Sequence, residues 1–111
     1  MKKRDIQLIR EVKIYIDENL GKDLYVKLIC AKFGLNKNKL QSGFKLLYNQ
    51  TIHLYIVRQK MQRAAEKLRN SDDPIKAIAM DVGCTPSNFH TNFKKAFGHS
   101  PEQFRKKENV Y

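Results

Sequence analysis

The sequence contains no tryptophan and only three prolines, five glycines and two cysteines in 111 residues, and each scarcity narrows the choice of fold. The few Gly and Pro sit mostly at the edges of periodic segments, and no stretch alternates at period two, which argues against a β fold. Cys30 and Cys84 cannot build a disulfide framework and form no CxxC metal pair. Both lie in apolar surroundings, where a free thiol acts as a small hydrophobe, and a reducing cytoplasm suits them. No apolar run approaches the roughly 20 residues of a membrane span, and MKKRDIQLIREVKIYIDENL is too charged for a signal peptide.

Acidic residues are scarce as well. Eleven Asp and Glu face 22 Lys and Arg, a formal net charge of +11. For so small a body that field favours polyanionic partners, namely DNA, RNA or an anionic membrane surface; the plain alternative is a soluble basic protein. No Asp or Glu occurs between residues 24 and 65, or between 82 and 101. Neither cysteine has a histidine placed to activate it, and there is no glycine-rich phosphate loop. The three His and two Cys lack metal-ligand spacing. The expectation is therefore no enzyme, no metal and no cofactor.

What is present is helical periodicity. Ile9, Val12, Ile16 and Leu20 share a face, with Gly21 placed to end that helix; Val26, Ile29, Cys30 and Phe33 form the next stripe, stopped by Gly34. Asn36 can cap a third helix to Tyr48 with Leu40, Phe44 and Leu47 inward. A longer helix from about Ile52 to Arg69 turns Tyr55, Ile56, Met61, Ala64, Ala65 and Leu68 to one side. Asp73-Pro74 opens a short helix bearing Ile75, Ile78, Ala79 and Val82, Thr85-Pro86 opens the next, and Ser100-Pro101 the last. The fold class expected is all-α, with seven helices.

The chain also repeats itself at an interval of 49 residues. Val26 matches Ile75, Ile29 matches Ile78, Cys30 matches Ala79, and Gly34 matches Gly83. Leu40 matches Phe89, Phe44-Lys45 matches Phe93-Lys94, Tyr48 matches Phe97, Thr51 matches Ser100, and Tyr55 matches Phe104. In each copy a small residue precedes a glycine by four, where a second helix must cross closely, and the glycine supplies a positive φ for the turn. That is helix-turn-helix grammar, although each copy alone is equally compatible with an αα-hairpin. The organisation expected is a first subdomain over 1–51, a linker helix over 52–70 and a second subdomain over 71–111.

The outward faces decide between these readings. With Leu40 and Phe44 inward, 100° per residue puts Asn38, Ser42 and Lys45 outward, with Gln41 beside them. The second copy presents Ser87, Thr91 and Lys94, with His90 beside them. Amides and hydroxyls can pair with base edges, and missing carboxylates spare nearby phosphates from repulsion. An 18-residue linker helix spans roughly 27 Å, so two reading helices held at that separation can enter successive major grooves about 34 Å apart. Candidate phosphate contacts are Lys37, Lys45, Arg58, Lys94 and Lys95, together with backbone N–H groups at the helix starts Asn36 and Thr85. For any single lysine the alternative is an ordinary solvated side chain.

These features resemble the DNA-binding domain of the AraC/XylS family of bacterial transcription regulators. The resemblance runs from IREVKIYIDENL to EQFRKK and is most specific in Pro74–Ala79, Val82-Gly83 and Phe93–Arg105, where the family reads PI..IA..vGF and then FKK.FG.SP..yR. It implies a seven-helix fold, with base readout by the third and sixth helices through Asn38, Gln41, Ser42, Ser87, His90 and Thr91. It also implies double-stranded DNA and RNA polymerase as partners, no membrane, and a cytoplasmic, nucleoid-associated location. Family members commonly carry a separate effector or dimerisation domain, so the chain is either a stand-alone regulator or part of a longer one. Three positions depart from the family pattern. Cys84 replaces an aromatic residue, Gly83–Phe93 is one residue shorter than usual, and Tyr25 stands where a capping Ser or Thr is common.

Two rival readings fit less well. A protein-interaction module has no need of two matched acid-free faces. A single-stranded or structured RNA binder calls for exposed aromatics, whereas most aromatics here fall on inward positions.

Overall fold

The structure, a computed structural model, describes residues 1–108. Residues 109–111, assigned by sequence to the second subdomain, lie outside the described residues. Among the described residues there are seven helices and no strand: α1 (Lys3–Glu18), α2 (Val26–Phe33), α3 (Lys37–Tyr48), α4 (Ile52–Asn70), α5 (Ile75–Asp81), α6 (Pro86–Phe97) and α7 (Pro101–Glu108). The all-α, seven-helix expectation therefore holds. The chain divides into two compact units, Met1–Ile56 and Val57–Tyr111, so that α4 contributes to both.

In the first unit, Ile9, Val12 and Ile16 of α1 meet Ile29, Leu40 and Phe44, and Ile52, Tyr55 and Ile56 close the core from α4. The Phe44 ring lies 4.8 Å from that of Tyr48 and 5.4 Å from that of Tyr55. Burying side chains of this size contributes about 1.5–3 kcal/mol each. Gly43, on the inward side of α3, has no room for a Cβ, which would collide with the Ile9 side chain. Tyr55 donates its hydroxyl to Asp17 at 2.5 Å, joining the end of α1 to the start of α4. Lys13 pairs with Asp17 at 3.6 Å and lies over both the Tyr48 and Tyr55 rings.

One boundary differs from the sequence reading. Helix α1 ends at Glu18 with Asn19 as its cap, two residues before Gly21, and Gly21 does not take a positive φ. Asn19 supplies the reason: its side-chain amide donates to the Tyr15 carbonyl at 2.7 Å and its backbone N–H to Ile16 at 3.1 Å. The orphan carbonyls are satisfied before the glycine is reached.

The second unit packs Met61, Ala64, Ala65 and Leu68 of α4 against Ile78, Ala79, Val82, Phe89, Phe93 and Phe104. Here too one start shifts. Pro74 rather than Asp73 occupies the cap position of α5, and no side chain caps it. The loop before it is held by Arg105, which donates to the carbonyls of Asp73 at 2.6 Å, Ser71 at 3.2 Å and Leu68 at 3.3 Å.

The repeat extends to individual hydrogen bonds. Asn36 accepts from the backbone of Lys39 at 2.8 Å, and Thr85 from Asn88 at 3.2 Å. Thr51 accepts from Leu54 at 3.1 Å, and Ser100 from Gln103 at 3.2 Å. The turn bond Leu35 to Cys30, 3.1 Å, reappears as Cys84 to Ala79, 2.9 Å, with Gly34 and Gly83 left-handed at φ 65° and 71°. The first helix of each unit follows a different interval. Ile9, Val12 and Ile16 play the part of Met61, Ala64 and Leu68, so the connection into the turn motif is shorter in the second unit.

Candidate nucleic-acid interface

Helix α3 opens on Asn36, whose side chain takes the N–H of Lys39. The N–H groups of Lys37 and Asn38, in the first turn, have no intrahelical acceptor and point out of the helix start. Leu40 and Phe44 are fully buried, which fixes the azimuth of the helix. Asn38, Gln41, Ser42 and Lys45 are all exposed as a result, with Asn38 below Ser42 and Gln41 below Lys45 at the one-turn spacing of a helix face.

Helix α6 repeats the arrangement. Thr85 caps it, Pro86 occupies the first turn, and Phe89 and Phe93 anchor it in the core. Ser87, His90, Thr91, Lys94 and Lys95 are exposed, with Ser87 below Thr91 and His90 below Lys94. The shortened span from Gly83 to Phe93 thus makes a regular helix in the same register as α3. Tyr25 caps α2 without a side-chain hydrogen bond, since its distant phenol cannot do what a short capping Ser or Thr does.

Each unit thus gathers onto one exposed helix the residues that the sequence puts forward for base reading. Arg58 is exposed but lies on α4, away from either recognition face in sequence. The acid-free character of α3 has one qualification, since Asp5 of α1 pairs with Lys39 at 3.6 Å. That carboxylate neutralises a lysine that the sequence reading did not count among the contacts.

Sequence reasoning missed two supporting residues. Lys60 is only 8% exposed and donates to the carbonyl of Gly83, in the turn before α6, at 3.3 Å. Its position on the Val57-Lys60-Met61-Ala64 stripe was the available signal. Gly43 falls likewise on the inward stripe of α3 with Leu40, Phe44 and Leu47. Beside Lys60, burial pushes the half-buried Cys84 thiol above its ordinary range, partly opposed by the ammonium. Among the described residues no cluster of His, Cys, Asp and Glu is arranged to hold a metal, and no helix is long and apolar enough to cross a membrane.

Comparison with known proteins gives this geometry a lineage. A helix-turn-helix domain family matches residues 29–107. The regulatory protein SoxS of Escherichia coli K12 is 31% identical over 100 residues, spanning 89% of this chain and 94% of its own. Among solved structures, the C-terminal domain of AraT, a response regulator from Geobacillus stearothermophilus, superposes with a TM-score of 0.88 at 29% identity, covering 90% of this chain and 84% of that one. The DNA-binding domain of AdpA, solved with a target DNA, shares the fold at a TM-score of 0.85 and 21% identity, covering 89% and 90%. With its duplicated, capped turn motifs and these relatives, the chain belongs to the AraC/XylS family of helix-turn-helix transcription regulators.

Proposed function

We propose that the chain binds duplex DNA sequence-specifically, with α3 and α6 in successive major grooves, and regulates bacterial transcription by doing so. The observation carrying this is the pair of matched faces. Asn38, Gln41 and Ser42 on α3 and Ser87, His90 and Thr91 on α6 are all exposed, on helices with side-chain caps and buried anchors at matching positions. Amide, hydroxyl and imidazole groups are the hydrogen-bonding chemistry that distinguishes base edges in a major groove. Lys37, Lys45, Arg58, Lys94 and Lys95 carry the phosphate contacts, with the helix starts at Asn36 and Thr85. The two subdomains then act as one reader joined through residues 52–70.

RNA polymerase is the proposed second partner, and the cytoplasmic nucleoid the place of action. No catalytic step is assigned. Selection of sites from random duplex DNA, followed by salt titration of the winners beside shuffled controls, tests the reading. An asymmetric motif of two short blocks about one helical turn apart supports readout by both units. A single block reduces α6 to a supporting element, and salt-sensitive binding without enrichment removes the claim of specificity.

A further inference from the structure

A concavity of about 740 Å³ opens in the first unit beside α3, and Met1, Asn38, Ser42 and Leu46 are among the residues that line it. Asn38 and Ser42 belong to the face proposed for base reading. Leu46 stands one helical turn beyond Ser42 and is 74% exposed, more than any other large apolar side chain among the described residues. A lone leucine in water is ordinary on a protein surface, so exposure by itself decides nothing.

Its place in the repeat is more telling. Leu46 corresponds to Lys95, which is exposed on α6 in the same register. The position lies outside both cores, and the same helix-turn-helix frame accepts a cation there. Packing therefore does not call for leucine at 46. The azimuth does give it a use. With Leu40 and Phe44 buried, 100° per residue sets Gln41 and Leu46 on opposite flanks of the outward face, with Asn38 and Ser42 between them. Asn38 to Leu46 covers roughly 12 Å of helix, close to the width of a major groove at about 12 Å. The carboxylate on this concavity, Asp5, is met by Lys39 at 3.6 Å, so its charge is answered within the protein. What Leu46 offers a groove is carbon, and the apolar feature of the base edges there is the 5-methyl group of thymine.

Resting on the DNA-binding reading above, we propose that Leu46 is a further specificity residue, packing on the 5-methyl group of a thymine in the half-site read by α3. Asn38, Gln41 and Ser42 exchange hydrogen bonds with base edges, while Leu46 adds a contact that separates thymine from bases without the methyl. The second unit has no counterpart, because Lys95 occupies the equivalent place.

The test uses the chain and its selected duplex. Each thymine is replaced in turn by deoxyuridine, which removes the methyl and keeps every hydrogen-bonding group. In wild type, one or two thymines of a single half-site should lose about fourfold in affinity, the worth of burying one methyl-sized group. In Leu46→Ala that cost should vanish, the non-additivity expected of two groups in contact. Preference at the other base pairs and the salt slope should stay as in wild type, since no charge changes. Unchanged thermal unfolding of Leu46→Ala confirms that the exposed side chain has no part in folding. A selected site with no methyl-sensitive thymine, or a methyl cost that persists at every such thymine in Leu46→Ala, would overturn the role of Leu46 while leaving specific DNA binding standing. A wild-type chain that prefers no duplex overturns the DNA reading itself, and the methyl contact with it.

Discussion

The ammonium of Lys60 donates to the carbonyl of Gly83 at 3.3 Å from a side chain 92% removed from solvent. Among the described residues it is the one buried charged side chain. The carbonyl it meets belongs to the left-handed residue that turns the chain from α5 toward α6. A core cation thus fixes the turn on which a recognition helix hangs.

Lys60→Ala should lower stability by about 1–3 kcal/mol, because the Gly83 carbonyl loses its donor and the buried aliphatic stem leaves a gap. A urea titration checks this: the midpoint should fall with the slope unchanged. A midpoint within error of wild type would show that water replaces the ammonium at no cost.

Gly43→Ala should be destabilising by about 1–3 kcal/mol, since the added methyl meets the fully buried Ile9. The corresponding position of the second unit already holds Asn92, half-buried, so Asn92→Ala should change stability far less. Equal midpoints for the two variants would mean that α1 and α3 can separate freely at this contact.

Tyr55 ties stability to alkaline pH. Burial, and then the hydrogen bond and charge of Asp17, push its phenol far above the ordinary tyrosine range near 10. The folded state therefore holds the proton after the unfolded chain has released it, so the stabilisation is complete below about pH 10 and declines as pH rises beyond it. Cys84, also raised, acts in the same direction from its lower starting point. Tyr55→Phe should cost about 0.5–1.5 kcal/mol at pH 7 and flatten the loss above pH 10. Urea midpoints across pH 7–11 read both effects, and identical alkaline slopes for the two proteins would remove Tyr55 from the account.

On DNA, the two classes of contact should separate by substitution. Gln41→Ala should relax preference at one or two base pairs of one half-site, costing about 1–3 kcal/mol on the preferred site alone. Lys94→Ala should weaken all sequences alike and flatten the salt dependence. Equal losses on preferred and random duplex for Gln41→Ala, or an unchanged slope for Lys94→Ala, would exchange or cancel those roles.

Much of this was legible because duplication writes each signal twice. The glycine, the cap and the inward Leu40–Phe44 and Phe89–Phe93 pairs recur at a fixed interval, so one copy corroborates the other. Local side-chain competition escaped that logic. At Asn19 a side-chain hydrogen bond ended α1 before Gly21 had any part, and at Pro74 the neighbouring carbonyls were claimed by Arg105 from 32 residues away. Lys60 and Gly43 sat on stripes whose periodicity was plain, yet residue type argued against burial for one and against packing for the other. Asp5 reached α3 from another helix, a pairing that no local pattern contains.

Helix α4 serves two cores along its length, Ile52, Tyr55 and Ile56 belonging to the first and Met61, Ala64, Ala65 and Leu68 to the second. Each unit is a four-helix assembly, yet the pair is built from seven helices because one is shared. Tiling by this rule adds three helices per new reader rather than four, a saving open only to units that overlap end to end. The same overlap divides the helix into two reporters. Amide exchange in its first turns should follow the opening of one core and exchange in its last turns the other, with the crossover expected between Ile56 and Met61.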